Sequence, residues 1–238
     1  MYQLEELSIE ISNKCLCRCI HCSSGSQPKA GKDELEPFGI VCLINEARNL
    51  GATVLSLSGG DPILYDQDFL GTFIQQAVKI GYERILFYTT GIWEVHLYQI
   101  DTPGCEPLGG MWGIDSWSGL PKLMDVGGSK LTFVFSLHSH RPEVHDFIMG
   151  LAGSWNTITG GILALQDYKM KYSLGYDVEV HMVPMRPNYR HISNVRDMCQ
   201  SLGVSKLSLL RFVPQTRGFS NTDMLSLDIE AFQWMQHQ

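Results

Sequence analysis

Residues 7–22 read LSIEISNKCLCRCIHC. Leu7 to Ile11 alternates apolar and polar side chains, the period of a strand with one buried face. Cysteines follow at once, at Cys15, Cys17, Cys19 and Cys22. The end of a strand holds the next loop rigidly, so thiolates spaced Cys15-x3-Cys19-x2-Cys22 can converge on one inorganic core. Three ligands are the informative number. A four-iron cluster held by three cysteines leaves one iron open to a small molecule, as a catalytic zinc keeps one position free. A structural zinc site with His21 as fourth ligand competes with this reading, although Cys42, Cys105 and Cys199 are isolated and form no second knuckle. A redox dithiol at Cys19-x2-Cys22 leaves Cys15 unexplained. Cys17 lies inside the motif and leaves a second ligand set open.

Working outward, short apolar stretches alternate with longer amphipathic ones. Leu35 to Leu50 has helical spacing and stops at Gly51, a C-cap residue. Thr53 to Leu57 predicts a second strand, ending in Gly59-Gly60. Phe69 to Ile80 predicts a helix ended by Gly81, and Arg84 to Tyr88 a third strand. Leu131 to Leu137, Asp177 to Val183 and Lys206 to Phe212 are rich in β-branched and aromatic residues and predict three more strands. Helices are expected near Asn156 to Met170, Ile192 to Leu202 and Ser226 to Met235. Six strand-then-helix units in sequence predict an α/β fold with one open parallel sheet and helices outside it. Gly91 to Ser118, rich in Gly, Pro and Trp, shows no period and is longer than ordinary connections, which makes it either a lid over a site or an element whose period is not legible.

The chain has 238 residues, of which 44% are hydrophobic and 18% charged, so it can bury a core without disulfides. Acidic residues outnumber basic ones 25 to 18, a net charge of -7, and there is no run of Lys and Arg. That balance argues against general nucleic-acid binding, whose affinity comes mainly from neutralised phosphates. Seven cysteines, crowded near one end, do not look like a secreted disulfide framework. The first residues, Met-Tyr-Gln-Leu-Glu-Glu, lack the pattern of a signal peptide, and no apolar stretch approaches the roughly 18 residues that span a bilayer. A soluble, cytoplasmic protein without membrane contact is the expectation.

The cysteine spacing after the first strand, followed by Gly59-Gly60-Asp61-Pro62 after the second, resembles the radical S-adenosylmethionine (SAM) enzyme superfamily. The resemblance runs from about Leu7 to Gly218 and implies a partial (β/α)6 barrel with its site at the C-terminal edge of the sheet. It also implies a [4Fe–4S] cluster on Cys15, Cys19 and Cys22, SAM as the second cofactor, and an external reductant such as a flavodoxin or ferredoxin. In relatives a Gly-Gly-Glu motif binds the amino group of SAM, and here Gly59, Gly60, Asp61 and Pro62 stand in that place, with Asp61 one methylene shorter. Ser136 ends the fourth strand where the family hydrogen-bonds the ribose. Val183, Leu210 and Phe212 would give the adenine an apolar wall. Strand alternation would put Ser136, His138 and His140 on one face, where the two histidines could serve as metal ligands or proton carriers. His145-Asp146 through Trp155 is similar to a segment of the SPASM and peptide-modifying branch, read here as a capped turn entering the fourth helix. Phe212 to Gly218 is similar to the segment after strand six in the same branch.

The chemistry that the resemblance implies is reductive cleavage of SAM to a 5′-deoxyadenosyl radical, which removes hydrogen from a peptide or protein. Tailoring of a small metabolite and a non-catalytic zinc or iron–sulfur scaffold are the alternatives. No residue is assigned to the substrate chemistry. The whole chain, residues 1–238, reads as one domain. It has no cysteine after Cys199 and so none of the clusters of a SPASM domain. It is expected to be either a compact one-cluster enzyme or a piece truncated at its C-terminus.

Overall fold

The computed structural model describes residues 3–28, 34–91 and 120–236. Six strands form one sheet in the order β1-β2-β3-β4-β5-β6, and every neighbouring pair is parallel. They are β1 (Glu6–Ser12), β2 (Val54–Gly59), β3 (Arg84–Thr89), β4 (Leu131–Ser136), β5 (Asp177–Met182) and β6 (Lys206–Leu209). Parallel neighbours need crossovers, and helices provide them: α1 (Pro37–Asn49), α2 (Gln67–Ile80), α3 (Leu120–Gly127), α4 (Pro142–Met149), α5 (Ser154–Tyr172) and α6 (Ile192–Ser201). Beyond β6 lie α7 (Thr216–Ser220), α8 (Thr222–Leu225) and α9 (Ile229–Gln236). This is the open parallel α/β sheet expected from the sequence.

Local chemistry explains where the elements stop. Asp66 caps α2 by accepting from the amides of Asp68 and Phe69, and Gly81 ends it in the left-handed region at φ 96°. Pro37 opens α1, where its missing N–H costs nothing. Asp146 accepts from the amides of Gly153 (2.6 Å) and Trp155 (2.8 Å) and so caps α5. The expected capped turn is therefore present, but His145 and Asp146 themselves sit in the separate helix α4.

Strands buried on both faces are mainly apolar, as in β4, where Leu131–Phe135 is buried throughout and only Thr132 is polar. Their aromatic side chains interlock, with Phe133 edge-on to both Phe87 and Tyr176. Buried hydroxyls are satisfied: Tyr82 donates to the Ile44 carbonyl at 2.9 Å. Near the start of the strands, Arg84 pairs at 2.5 Å with Glu179, whose side chain is only 8% exposed.

β6 is shorter than the expected Lys206 to Phe212. Leu210 still donates to the Met182 carbonyl at 2.8 Å, after which the chain leaves the sheet toward α7. The long stretch from Gly91 to Ser118 lies outside the described residues except for Gly91 itself. Among the described residues no single helix is long and apolar enough to cross a membrane.

Candidate cluster and SAM site

The cysteine loop leaves the C-terminal end of β1 and is held by backbone bonds from several directions. Cys15 N–H donates to the Gln27 carbonyl (2.9 Å), Arg18 to Met149 (3.0 Å) and Ile20 to Ile148 (2.9 Å). Cys22 N–H closes a turn onto the Cys19 carbonyl at 3.2 Å. From the end of β2, Asp61 N–H reaches the Lys14 carbonyl at 2.7 Å.

Three glycines from distant elements approach this loop. A Cβ on Gly60 would stand 2.1 Å from the Lys14 carbonyl oxygen, one on Gly150 2.4 Å from that of Arg18, and one on Gly218 3.0 Å from that of His21. Lys14, Arg18 and His21 are the residues immediately before Cys15, Cys19 and Cys22. The peptide units leading into the three motif cysteines are thus the ones on which other elements close. Only residues without a Cβ permit that approach.

Cys15 and Cys17 are buried, while Cys19 and Cys22 are partly exposed, and all four are free thiols. Cys17 makes thiol contacts with both Cys15 and Cys19. The hydrogen bond from Cys17 holds Cys15 below the usual thiol range, with a smaller contribution from the charge of Arg217. Cys17 is pushed up, because its proton is shared with sulfur neighbours and its side chain is buried. Cys19 Sγ also lies 3.7 Å from Met149 Sδ.

Among the described residues, no group of three or more His, Cys, Asp and Glu side chains could hold a metal ion. A structural zinc needs four donors converging on one point. A cluster distributes its thiolates over separate irons and does not impose that convergence. Three free thiols on a loop fixed at each preceding peptide therefore fit a three-cysteine cluster.

Gly59 and Gly60 end β2 directly beside this loop, and Gly60 N–H donates to the Ser12 carbonyl at 2.6 Å. Asp61 follows the pair directly. It is fully buried, and its oxygens accept from Ile63 N–H (3.3 Å), Thr89 Oγ1 (2.8 Å), Thr90 N–H (2.9 Å) and Thr90 Oγ1 (2.5 Å). Burial pushes its carboxyl up to about 6 despite these four donors. Asp61 thereby ties the end of β2 to the end of β3 and caps the short 3-10 turn Pro62–Leu64. Thr89 and Thr90 belong to the site's framework, and no motif in the sequence marked them.

Ser136 stands half-buried at the C-terminal end of β4, opposite His181 of β5. The expected common face for Ser136, His138 and His140 is not formed, because β4 ends at Ser136 and its alternation ends with it. His138 turns into the interior beside His21 and His145, with ring centroids 4.5 Å and 6.0 Å away. His140 instead meets His191 at 4.9 Å.

The neighbours of His138 and His145 set their tautomers. Val183 N–H donates to His138 Nδ1 (3.3 Å), and His138 N–H donates to His145 Nδ1 (3.2 Å). Each ring then carries its proton on Nε2, with no lone pair there for a metal. Burial lowers His145 to about 4 and His138 well below the usual range. His138 also anchors Asn188, whose Nδ2 donates to its carbonyl at 2.8 Å.

Val183 and Phe212 pack against a small buried group formed by Ile148, Met185 and Leu225. Leu210, by contrast, is 41% exposed.

No protein-family model matches the chain. The structure has the fold of the radical SAM enzymes, as the cysteine and glycine motifs implied. In sequence, it is similar to an AdoMet-dependent heme synthase of Methanosarcina barkeri, with 21% identity over 224 residues covering 93% of this chain and 54% of the relative. Streptococcus suis SuiB bound to S-adenosylmethionine superposes with a TM-score of 0.68 at 14% identity, over 99% of this chain and 46% of that one. HydG, a maturase of the [FeFe]-hydrogenase, gives 0.63 at 12% identity over 98% of this chain and 48% of its own. The chain thus spans about half the length of these proteins.

Proposed function

We propose that this chain is the core of a radical SAM enzyme, with Cys15, Cys19 and Cys22 holding a [4Fe–4S] cluster and SAM bound beside it, acting on a peptide or protein. The observation that carries the reading is the placement of Gly60, Gly150 and Gly218 against the peptides before those three cysteines. A bound cluster supplies the electron that splits SAM into methionine and a 5′-deoxyadenosyl radical.

The chain's own residues bind and orient. Gly59 and Gly60 let backbone approach the SAM amino group without a Cβ in the way. Asp61, with Pro62 behind it, keeps that turn fixed. Ser136 offers a hydroxyl at the end of β4, and Val183, Leu210 and Phe212 offer apolar surface to the adenine. The cluster's electron would come from a flavodoxin or ferredoxin.

A peptide substrate draws support from the fold neighbours, which include SuiB bound to precursor peptide SuiA and anSMEcpe with bound AdoMet and the Cp18Cys peptide. Tailoring of a small metabolite is the second reading, favoured by the heme synthase that matches in sequence.

Anaerobic reconstitution with iron and sulfide, followed by dithionite and SAM, tests the proposal. Cys15→Ala, Cys19→Ala and Cys22→Ala should each lose bound iron and 5′-deoxyadenosine formation, whereas Cys17→Ala should keep most of both. Equal loss in Cys17→Ala would overturn the ligand assignment.

A further inference from the structure

The segment after β6 meets the cysteine loop along most of its length. Thr216 Oγ1 lies 2.8 Å from the Cys22 carbonyl and 2.9 Å from that of Ser23. Arg217 donates from Nη1 to the Cys19 carbonyl (3.1 Å) and from Nη2 to the Ser26 carbonyl (2.8 Å). Gly218 N–H donates to the Cys22 carbonyl (3.2 Å), and Asn221 Nδ2 to that of Ile20 (3.0 Å). Five carbonyls of the loop, those of residues 19, 20, 22, 23 and 26, therefore find partners in one six-residue stretch. Loop carbonyls have no ladder or helix to bond to, so a distant partner decides their conformation.

Three further observations bear on this contact. Thr216 sits at φ 42°, a left-handed conformation that side chains with a Cβ rarely adopt. The strain is held where its hydroxyl meets the loop. Gly25, on the loop itself, is also left-handed at φ 67°, and a Cβ there would stand 3.3 Å from Thr216. Among the described residues no carboxylate forms an ion pair with Arg217, whose guanidinium faces the loop carbonyls. Thiolates that gather anionic charge on binding a cluster would be offset by it.

We infer that Thr216–Asn221 is a latch that sets the cysteine loop before any metal is bound, with Arg217 as its positioning residue. The inference rests on the reading of Cys15, Cys19 and Cys22 as ligands and adds what holds them. The planar fork of Arg217 reaches two carbonyls seven residues apart, which a lysine cannot do.

Hydrogen exchange on the metal-free chain tests the latch without reference to catalysis. In Arg217→Met the amides of residues 18–26 should exchange at least about tenfold faster, while those of β2 to β5 stay as they are. Arg217→Lys should show the same loosening. After reconstitution, however, the lysine variant should hold the cluster's midpoint potential near that of the unsubstituted chain, and the methionine variant should shift it to a more negative value. Unchanged exchange at residues 18–26, or equal acceleration throughout the sheet, overturns the latch. Thr216→Val serves if Arg217→Met does not fold, and should loosen residues 22–24. An unsubstituted chain that binds no iron refutes the cluster reading, while the exchange result still decides the latch.

Discussion

Acid should weaken this fold through His138 and His145. Both rings are buried, at 2% and 0% exposure, and both are neutral because burial lowers their proton affinity. Of their neighbours, His21 disfavours charge on either ring, and Asp146 opposes this only at His145. A histidine depressed in the fold contributes stability that is present above its unfolded value near 6.5 and is lost as pH falls toward its folded value. An imidazole that stays neutral down to pH 5 costs the fold about 2 kcal/mol between pH 6.5 and 5, and two cost about 4 kcal/mol. Asp61 acts oppositely. Its carboxyl is raised to about 6, so it takes up a proton in the fold first and returns about 1.4 kcal/mol between pH 6 and 5. For these three groups the balance is a loss of about 3 kcal/mol, and His21 and His181, each also lowered to about 4 by burial, add to it in the same direction. Urea unfolding of the metal-free chain at pH 7 and pH 5 measures it, and His145→Gln should reduce the difference by about 2 kcal/mol. Equal urea midpoints at the two pH values would refute the neutral, buried assignment of these rings.

Other perturbations follow from particular contacts. Gly60→Ala places its Cβ against the Lys14 backbone and should cost about 3 kcal/mol or more, while Gly39→Ala, with open space around it, should be neutral or gain up to about 1 kcal/mol in thermal melts. Asp61→Asn turns an amide toward threonine donors and should cost about 2 kcal/mol. Because Asp61 favours its protonated form in the fold, that deficit should shrink as pH rises from about 4 to about 6, which urea midpoints would show. Arg84→Met leaves buried Glu179 with only Lys206 at 3.9 Å; as the Arg84 side chain is 38% exposed, the cost should be about 1–2 kcal/mol, partly recovered by Glu179→Gln in a double-mutant cycle.

The strand order was legible because a parallel strand buried on both faces leaves a continuous apolar run that turn residues interrupt. Lys206 to Phe212 misled by two or three residues for the same reason. Apolar side chains continue past Leu209, although the last of them pack against α4 and α8 or face outward rather than extend the sheet. The helix Pro142–Met149 was hidden by its length, since eight residues show little more than two turns of periodicity. The cysteines and the Gly59-Gly60 pair could be read because their spacing is local. The task of Asp61 could not, because its partners Thr89 and Thr90 arrive from the next strand, and the six-residue latch lies nearly two hundred residues from the carbonyls it binds.

Cys17 shows how backbone contacts can separate residues of identical chemistry. By composition it equals its neighbours, and its thiol is the most buried of the four, at 1% exposure. A ligand needs a sulfur that can lose its proton and a backbone that presents it, and Cys17 is disfavoured on both counts. Its proton is shared with Cys15 and Cys19 in an environment that resists its loss. The residue before it, Leu16, receives none of the close glycine approaches found before Cys15, Cys19 and Cys22 among the described residues. The proposed ligand set therefore leaves Cys17 to fill space beneath the loop. Truncating a side chain this small to alanine should cost about 1 kcal/mol in a thermal melt, with iron binding retained. Cys17→Ser should cost more, because a buried hydroxyl among sulfurs finds only weak acceptors. A serine variant as stable as the parent, combined with loss of iron, would mean instead that Cys17 is a ligand.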